Sequence, residues 1–267
     1  MSKVILITGA SSGIGKAIGE FLHHKGFVVY GTSRNPEKIS NSVFPLLTLD
    51  VGKVNTIHEA VSHIIATSGR LDIVINNAGV GITGALEEIP MSEIKANFET
   101  NFFGPIEVMK AVLPQMREQQ TGLIINISSI AGYMGLPYRS IYSASKGALG
   151  IITEALRMEV KAFGIQITDV APGDFATNIA ASRYHAPVIA GSAYEIPYGN
   201  TLKMMDEHVD SGSNPEEMAQ AIYTIIQEAN PNVHYKVGLF MQKFSIVLKK
   251  ILPDTVYERM LMKHYKL

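Results

Sequence analysis

In the stretch IYSASKGAL, residues 141–149, Tyr142 and Lys146 stand four positions apart among small residues that suit a helix. Residues i and i+4 share a helix face, so the ammonium can lie beside the phenol. An unperturbed phenol has a pKa of about 10, too high for efficient proton exchange near neutrality. A neighbouring positive charge stabilises the phenolate and brings the group into range. Chance alone, however, supplies roughly 0.7 such pairs in a chain of this length and tyrosine and lysine content. The alternative is a packed tyrosine beside a solvated lysine, so the surrounding sequence has to decide.

A second stretch, TGASSGIGKAIGEFL, follows directly on the apolar run KVILIT at 3–8. Gly9, Gly13 and Gly15 punctuate a turn, and Ile14, Ile18, Phe21 and Leu22 then recur at helical spacing. Glycines let the backbone approach a pyrophosphate, while the free N–H groups and dipole of the helix start favour an anion. The spacing departs from G-x-G-x-x-G, with three residues rather than one between the first two glycines. A turn that merely packs helix on strand is the competing reading.

These residues need a frame. Apolar runs at 3–8, 27–33, 46–50, 71–77, 122–128 and 165–171 alternate with amphipathic segments near 14–25, 53–68, 92–120 and 141–163. Continuously apolar strands separated by helices predict an α/β fold, a doubly wound parallel sheet of Rossmann type covered on both faces. No composition break marks a second domain, so residues 1–267 are expected to form one. Residues 174–213 lose periodicity and gather Pro, Gly, Tyr and His, which predicts an irregular substrate-loop insertion. Phe175, Ile179, Tyr184, Pro187, Ile189, Tyr194, Ile196, Pro197 and Tyr198 would give it an apolar lining.

Composition narrows the chemistry. A formal charge of −1 leaves no basic excess for phosphate neutralisation and argues against nucleic acid and for a small organic substrate. With no cysteine, redox chemistry requires a bound cofactor. Metal is not expected, since the histidines are scattered and adjacent His23 and His24 cannot share a helix face as i, i+4 ligands would. The run Val4–Ile7 is too short for a signal segment and no stretch reaches the length of a membrane span, which predicts a soluble cytoplasmic protein. The tail lysines Lys243, Lys249, Lys250, Lys263 and Lys266 interleave with apolar residues, compatible with a covered apolar face or with binding at a membrane surface.

Thr8-Gly9-x-x-x-Gly13-x-Gly15, Asn76-Asn77-Ala78-Gly79, Asn101, NISS ending at Ser129, Tyr142-x-x-x-Lys146 and Pro172-Gly173 occur in the order seen in the short-chain dehydrogenases/reductases, which the chain resembles over residues 8–177. HYKVG and ILPDTVYERM near the end resemble the hydroxysteroid and retinol dehydrogenase branch. The resemblance implies that Tyr142 is the general acid for carbonyl reduction and the base for alcohol oxidation. It places Lys146 beside Tyr142 and the nicotinamide ribose, Ser129 on the substrate oxygen, and Asn101 on a water that relays protons to the lysine. Ser128 competes with Ser129, but side chains alternate along a strand and the spacing of 13 to Tyr142 favours Ser129.

For the cofactor, the resemblance points to Gly9, Ser11, Ser12, Gly13, Ile14 and Gly15 in the turn, to Asp50 and Val51 at the adenine, and to Asn77, Ala78 and Gly79 where small residues permit close approach. Pro172, Gly173, Phe175 and Thr177 look like the family segment that meets the nicotinamide carboxamide. After the second strand, Ser33 and Arg34 stand where NAD enzymes of the family place an acid. A carboxylate there would repel a 2′-phosphate, whereas Arg34 can pair with it, so NADP(H) is favoured over NAD(H). Many NADP members carry a further basic residue where this chain has Ser12. The expected activity is hydride transfer between nicotinamide and a carbonyl or secondary alcohol, with an apolar substrate. A sugar-nucleotide epimerase or dehydratase and a non-enzymatic cofactor-sensing regulator are the rivals. The resemblance also implies a homodimer or homotetramer assembled through the helices near 100–120 and 141–163.

Overall fold

The computed structural model of the chain describes residues 2–175, 183–209 and 212–267. Its strands are β1 (Val4–Ile7), β2 (Val28–Ser33), β3 (Leu46–Thr48), β4 (Ile73–Asn76), β5 (Ile82–Thr83), β6 (Gly122–Ile127), β7 (Ile165–Pro172), β8 (Tyr184–His185) and β9 (His234–Val237). The helices are α1 (Gly13–His24), α2 (Val54–Ser68), α3 (Met91–Phe98), α4 (Gly104–Gln119), α5 (Ser140–Glu159), α6 (Glu195–Val209), α7 (Pro215–Gln227), α8 (Phe240–Ile251) and α9 (Asp254–Tyr265).

Seven strands form one sheet in the order β3-β2-β1-β4-β6-β7-β9, every neighbouring pair parallel. Burial on both faces explains why the strands read as continuous apolar runs. Leu6, Val74, Ile124 and Ile167 pack with Ile57 and Ile64 of α2 and with Val108, Val112 and Met116 of α4. The alternate residues Ile5, Ile7, Ile73, Ile75 and Ile125 pack on Ile18 and Leu22 of α1 and on Met218, Ile222 and Ile226 of α7. Because β1 leads outward to β2 and β3 while β4 begins the other half, the carboxyl ends of β1 and β4 meet at the switch point where such sheets leave a crevice.

Two expectations change, and one edge strand goes unread. The helix expected over 92–120 is α3 and α4 joined by a π-helical turn, Glu99–Phe103, with Asn101 at its centre. Residues 174–213 are not wholly irregular: they contain β8, paired with β5, and α6. Pro197, Gly199 and Asn200 disguised α6, yet Pro197 is its third residue, in the first turn, where a missing N–H forfeits no intrahelical bond. Tyr198 is fully buried, with its hydroxyl donating to the Ala186 carbonyl at 2.9 Å, so this part of the segment is pinned to the body of the protein. The edge strand β9 is too short and too polar, at HYKV, to be read from pattern. Among the described residues no helix is long and apolar enough to cross a membrane.

Candidate active site

The crevice is a cleft of about 530 Å³ over the carboxyl ends of β1, β2, β3 and β4. Gly9, Ser11, Ser12, Gly13, Ile14, Gly15, Ser33, Arg34, Asp50, Val51, Asn77, Ala78, Gly79, Tyr142, Lys146 and Pro172 all line it. The turn after β1 has the backbone its glycines allow: Gly9 at φ 65° and Gly13 at φ 54° occupy the left-handed region that side-chain-bearing residues avoid. Gly15 serves space instead, for a Cβ there would stand 2.4 Å from Asn77 Nδ2 and 2.5 Å from the Gly9 carbonyl.

Asn77 does more than leave room. Its Nδ2 donates to the carbonyls of Thr8 and Gly9 at 2.9 and 3.0 Å, and the N–H groups of Asn77 and Ala78 donate to Thr8 Oγ1, each at 3.0 Å. The end of β4 is thereby clamped to the glycine-rich turn. Thr8 has a role that composition conceals, since a strand-ending threonine ordinarily means only β-propensity.

Asn101 is fully buried, and the π-helical turn aims its amide at the chain beyond β4. Its Oδ1 accepts from the Val80 N–H and its Nδ2 donates to the Val80 carbonyl, both at 2.8 Å. Asn97 adds a second donor to that carbonyl at 3.0 Å, and Ser145 bonds to Asn97 Oδ1 at 3.0 Å. The asparagine therefore satisfies local backbone groups, and π-turns recur at functional positions because they re-aim one side chain. A point one Cβ out from Gly79 lies 3.2 Å from Asn101 Oδ1 and also 3.2 Å from Lys146 Nζ, so amide and ammonium converge there.

Lys146 is buried on α5 and donates to the Ile127 carbonyl at the end of β6 at 2.9 Å. Burial pulls its pKa below the ordinary lysine range, and the nearby Tyr142 and Asp169 push it partway back. Tyr142 lies one turn earlier, and the Arg139 guanidinium stands 5.3 Å over its ring. Sequence reasoning passed over Arg139, whose i, i−3 spacing from Tyr142 was its only local signal.

Tyr142 also lines a smaller cavity of about 70 Å³, together with Ile14, Gly81, Ile82, Ser129, Arg139, Pro172, Gly173, Asp174, Phe175 and Arg183. Ser129 faces this cavity, and its Oγ accepts from the Ala131 N–H at 3.1 Å at the start of a 3₁₀ turn. Ser128 instead lines the cleft. Thr177 and Ile179 lie outside the described residues. Of the apolar side chains expected to line the irregular segment, Phe175 reaches the cavity, whereas Tyr198 packs beneath it and Ile196 is 74% exposed. Charged residues on the wall make the lining more mixed than the purely apolar one expected.

A doubly wound sheet with a glycine-rich turn at its switch point, and with a tyrosine–lysine pair lining the cleft there, is the arrangement of the dinucleotide-dependent oxidoreductases. The model of the family described as short chain dehydrogenase matches residues 3–187, and the chain belongs to this family. It is 41% identical over 257 residues to the 3-ketodihydrosphingosine reductase of Bacteroides thetaiotaomicron, covering 96% of this chain and 95% of that one. A short-chain dehydrogenase from Streptomyces avermitilis superposes with a TM-score of 0.86 at 32% identity, covering 100% of this chain and 97% of that one. ElxO with NADP bound is similar at a TM-score of 0.72 and 27% identity, over 89% of this chain and 97% of that one. The protein is accordingly an NAD(P)-dependent oxidoreductase. Among the described residues no group of three or more His, Asp or Glu side chains could hold a metal ion.

Proposed function

We propose that the protein is an NADPH-preferring reductase of an amphipathic ketone, of the kind named for the Bacteroides relative: a long-chain amino ketone reduced to its alcohol. The observation that carries this reading is Tyr142, which lines both the cofactor-sized cleft and the smaller cavity. The glycine-rich turn and the small residues Asn77–Gly79 fit a dinucleotide, with Asp50 and Val51 at the adenine end and Pro172, Gly173 and Phe175 toward the nicotinamide. The bound nicotinamide supplies the hydride.

In this reading the chain itself supplies position and a proton. Ser129 donates a hydrogen bond to the substrate carbonyl oxygen. Tyr142 delivers its phenolic proton to that oxygen as negative charge builds on it, and the Lys146 ammonium stabilises the phenolate left behind. Asn101 acts as a positioning residue, fixing Val80 and the chain beside Lys146. Apolar Ile82, Pro172 and Phe175 with charged Arg139, Asp174 and Arg183 favour a substrate that has both an apolar body and a polar head over a neutral sugar.

The test is NADPH oxidation followed by absorbance with 3-ketodihydrosphingosine, a simple long-chain ketone and a set of keto-sugars. Faster turnover of the amino ketone is expected, and preference for the sugars would overturn the substrate reading. Cofactor preference is read separately. Arg34 is exposed on the cleft rim with no acid beside it at the end of β2, so Arg34→Ala should raise the KM for NADPH about 10-fold to 100-fold and leave NADH nearly unchanged. Equal effects on both cofactors would show that Arg34 does not read the 2′-phosphate.

A homodimer or homotetramer formed through α4 and α5 belongs to the same proposal. Ile151 and Met158, seven residues apart on one face of α5, are 70% and 72% exposed, large apolar groups that a second copy would cover. Met158→Glu should shift the protein toward monomer in analytical ultracentrifugation, and an unchanged sedimentation coefficient would remove this face from the interface.

A further inference from the structure

Helix α8 turns one side chain set inward and a different one out. Ile246 is buried, and Gln242 reaches the cavity wall, its Nε2 donating to Asp174 Oδ2 at 2.8 Å and its Oε1 accepting from the Asp174 N–H at 3.3 Å. On the opposite side Phe240, Phe244, Val247 and Ile251 recur at i, i+4, i+7 and i+11, a single stripe, and they are 72%, 37%, 45% and 67% exposed. The first two rings stack at 5.7 Å.

The charges around the stripe say what covers it. Lys243 and Lys250 lie along one edge, and α8 contains no Asp or Glu. Neither lysine forms an ion pair among the described residues, whereas Lys249, on the packed side, bonds Asp254 and stands 5.5 Å over the Tyr257 ring. From Leu239 onward the chain has six basic side chains against two acidic ones, although its formal net charge is −1. A second copy of this helix would bring lysines against lysines with no acid to meet them. An apolar stripe with aromatic rings, bordered by lysines and lying on the surface, matches an interfacial helix on anionic lipid.

We propose that α8 docks the protein on anionic bilayer surfaces, with the stripe from Phe240 to Ile251 in the headgroup and acyl boundary and Lys243 and Lys250 on lipid phosphates. Because Gln242 ties the first turn of α8 to Asp174, docking sets the wall of the substrate cavity next to the membrane. The binding stands apart from the substrate proposed above, since it is read without turnover.

The chain contains no tryptophan, so Phe244→Trp places one reporter on the stripe. Vesicles of phosphatidylcholine with about a third phosphatidylglycerol should shift its emission to the blue, and lipids brominated along the acyl chain should quench it. Pure phosphatidylcholine vesicles should bind at least tenfold more weakly, as should the anionic vesicles at high salt. In the otherwise unaltered chain, Lys243→Glu with Lys250→Glu, and separately Phe240→Ser with Phe244→Ser, should each lower co-sedimentation with anionic vesicles at least tenfold. Their melting temperature and NADPH turnover of a water-soluble ketone should stay near those of the parent, which separates lost docking from lost folding. No blue shift with anionic vesicles, binding indifferent to both double substitutions, or a concentration-dependent blue shift without lipid, which would mean a second copy covers the stripe, would each overturn the proposal.

Discussion

Tyr142→Phe is expected to lower ketone turnover by about 10²-fold to 10⁴-fold while leaving NADPH affinity within about threefold of the parent. The substitution keeps the ring, and with it the cavity wall and the packing against Ile82, Ala131 and Tyr198. It removes one hydroxyl. Lys146 cannot readily substitute as donor, because its ammonium is bonded to the Ile127 carbonyl and its charge is needed where it stands. The Ser129 hydroxyl faces the cavity, but an alcohol is a far weaker acid than a phenol. Steady-state rates with an apolar ketone, beside a fluorescence titration of NADPH, separate the two quantities. Substantial activity in the variant would remove Tyr142 from the chemistry, and a parallel loss of NADPH binding would recast it as a cofactor contact.

Gly15→Ala should weaken NADPH binding at least tenfold and destabilise the fold by about 1–3 kcal/mol, the range for forcing a methyl into packed space. The backbone at Gly15 needs no unusual φ, so the effect is one of volume. The new Cβ would meet the Gly9 carbonyl at 2.5 Å, Asn77 Nδ2 at 2.4 Å and Ala10 Cα at 3.1 Å. Two of these three neighbours are backbone, and Asn77 is itself held by the Thr8 and Gly9 carbonyls, so relief requires the turn to open. Opening it moves Gly9, Ser11, Ser12 and Gly13, which line the cleft. Gly199→Ala in α6 is the control: its Cβ meets only Val188 Cγ1 at 3.8 Å, and a helical Gly→Ala exchange should stabilise by about 0.5–1 kcal/mol. Isothermal titration with NADPH and thermal unfolding of both variants measure the contrast. Parent-like binding in Gly15→Ala would show that the turn has room the geometry denies.

Much of this site was legible before any coordinates, because its signals are local. Burial of a parallel sheet on both faces leaves uninterrupted apolar runs, and the strands read from them, β1 to β4, β6 and β7, agree with the structure to within a few residues. A turn that needs left-handed backbone leaves glycines at Gly9 and Gly13, and a helix that presents two groups together leaves them four apart, as Tyr142 and Lys146 are. Each pattern is written within one element, so it survives in the one-dimensional order.

What the tertiary structure decided lies between elements. That Asn77 clamps the glycine turn through Thr8, that Asn101 spends its amide on Val80 rather than standing open, and that Arg139 covers the ring of Tyr142 are facts about groups brought together only when the sheet closes. Helix α6 was hidden because its proline and glycine oppose helix by propensity, and burial of Tyr198 against Thr83 and Ala186 outweighs them. Strand β9 exists because β7 offers it an edge to pair with. For the tail, residue order put a covered apolar face ahead of a membrane surface as the reading of the same lysines. Only the packing of Gln242 and Ile246 inward fixed which side of α8 is left facing out, since amphipathic periodicity names two faces without saying which of them the protein covers.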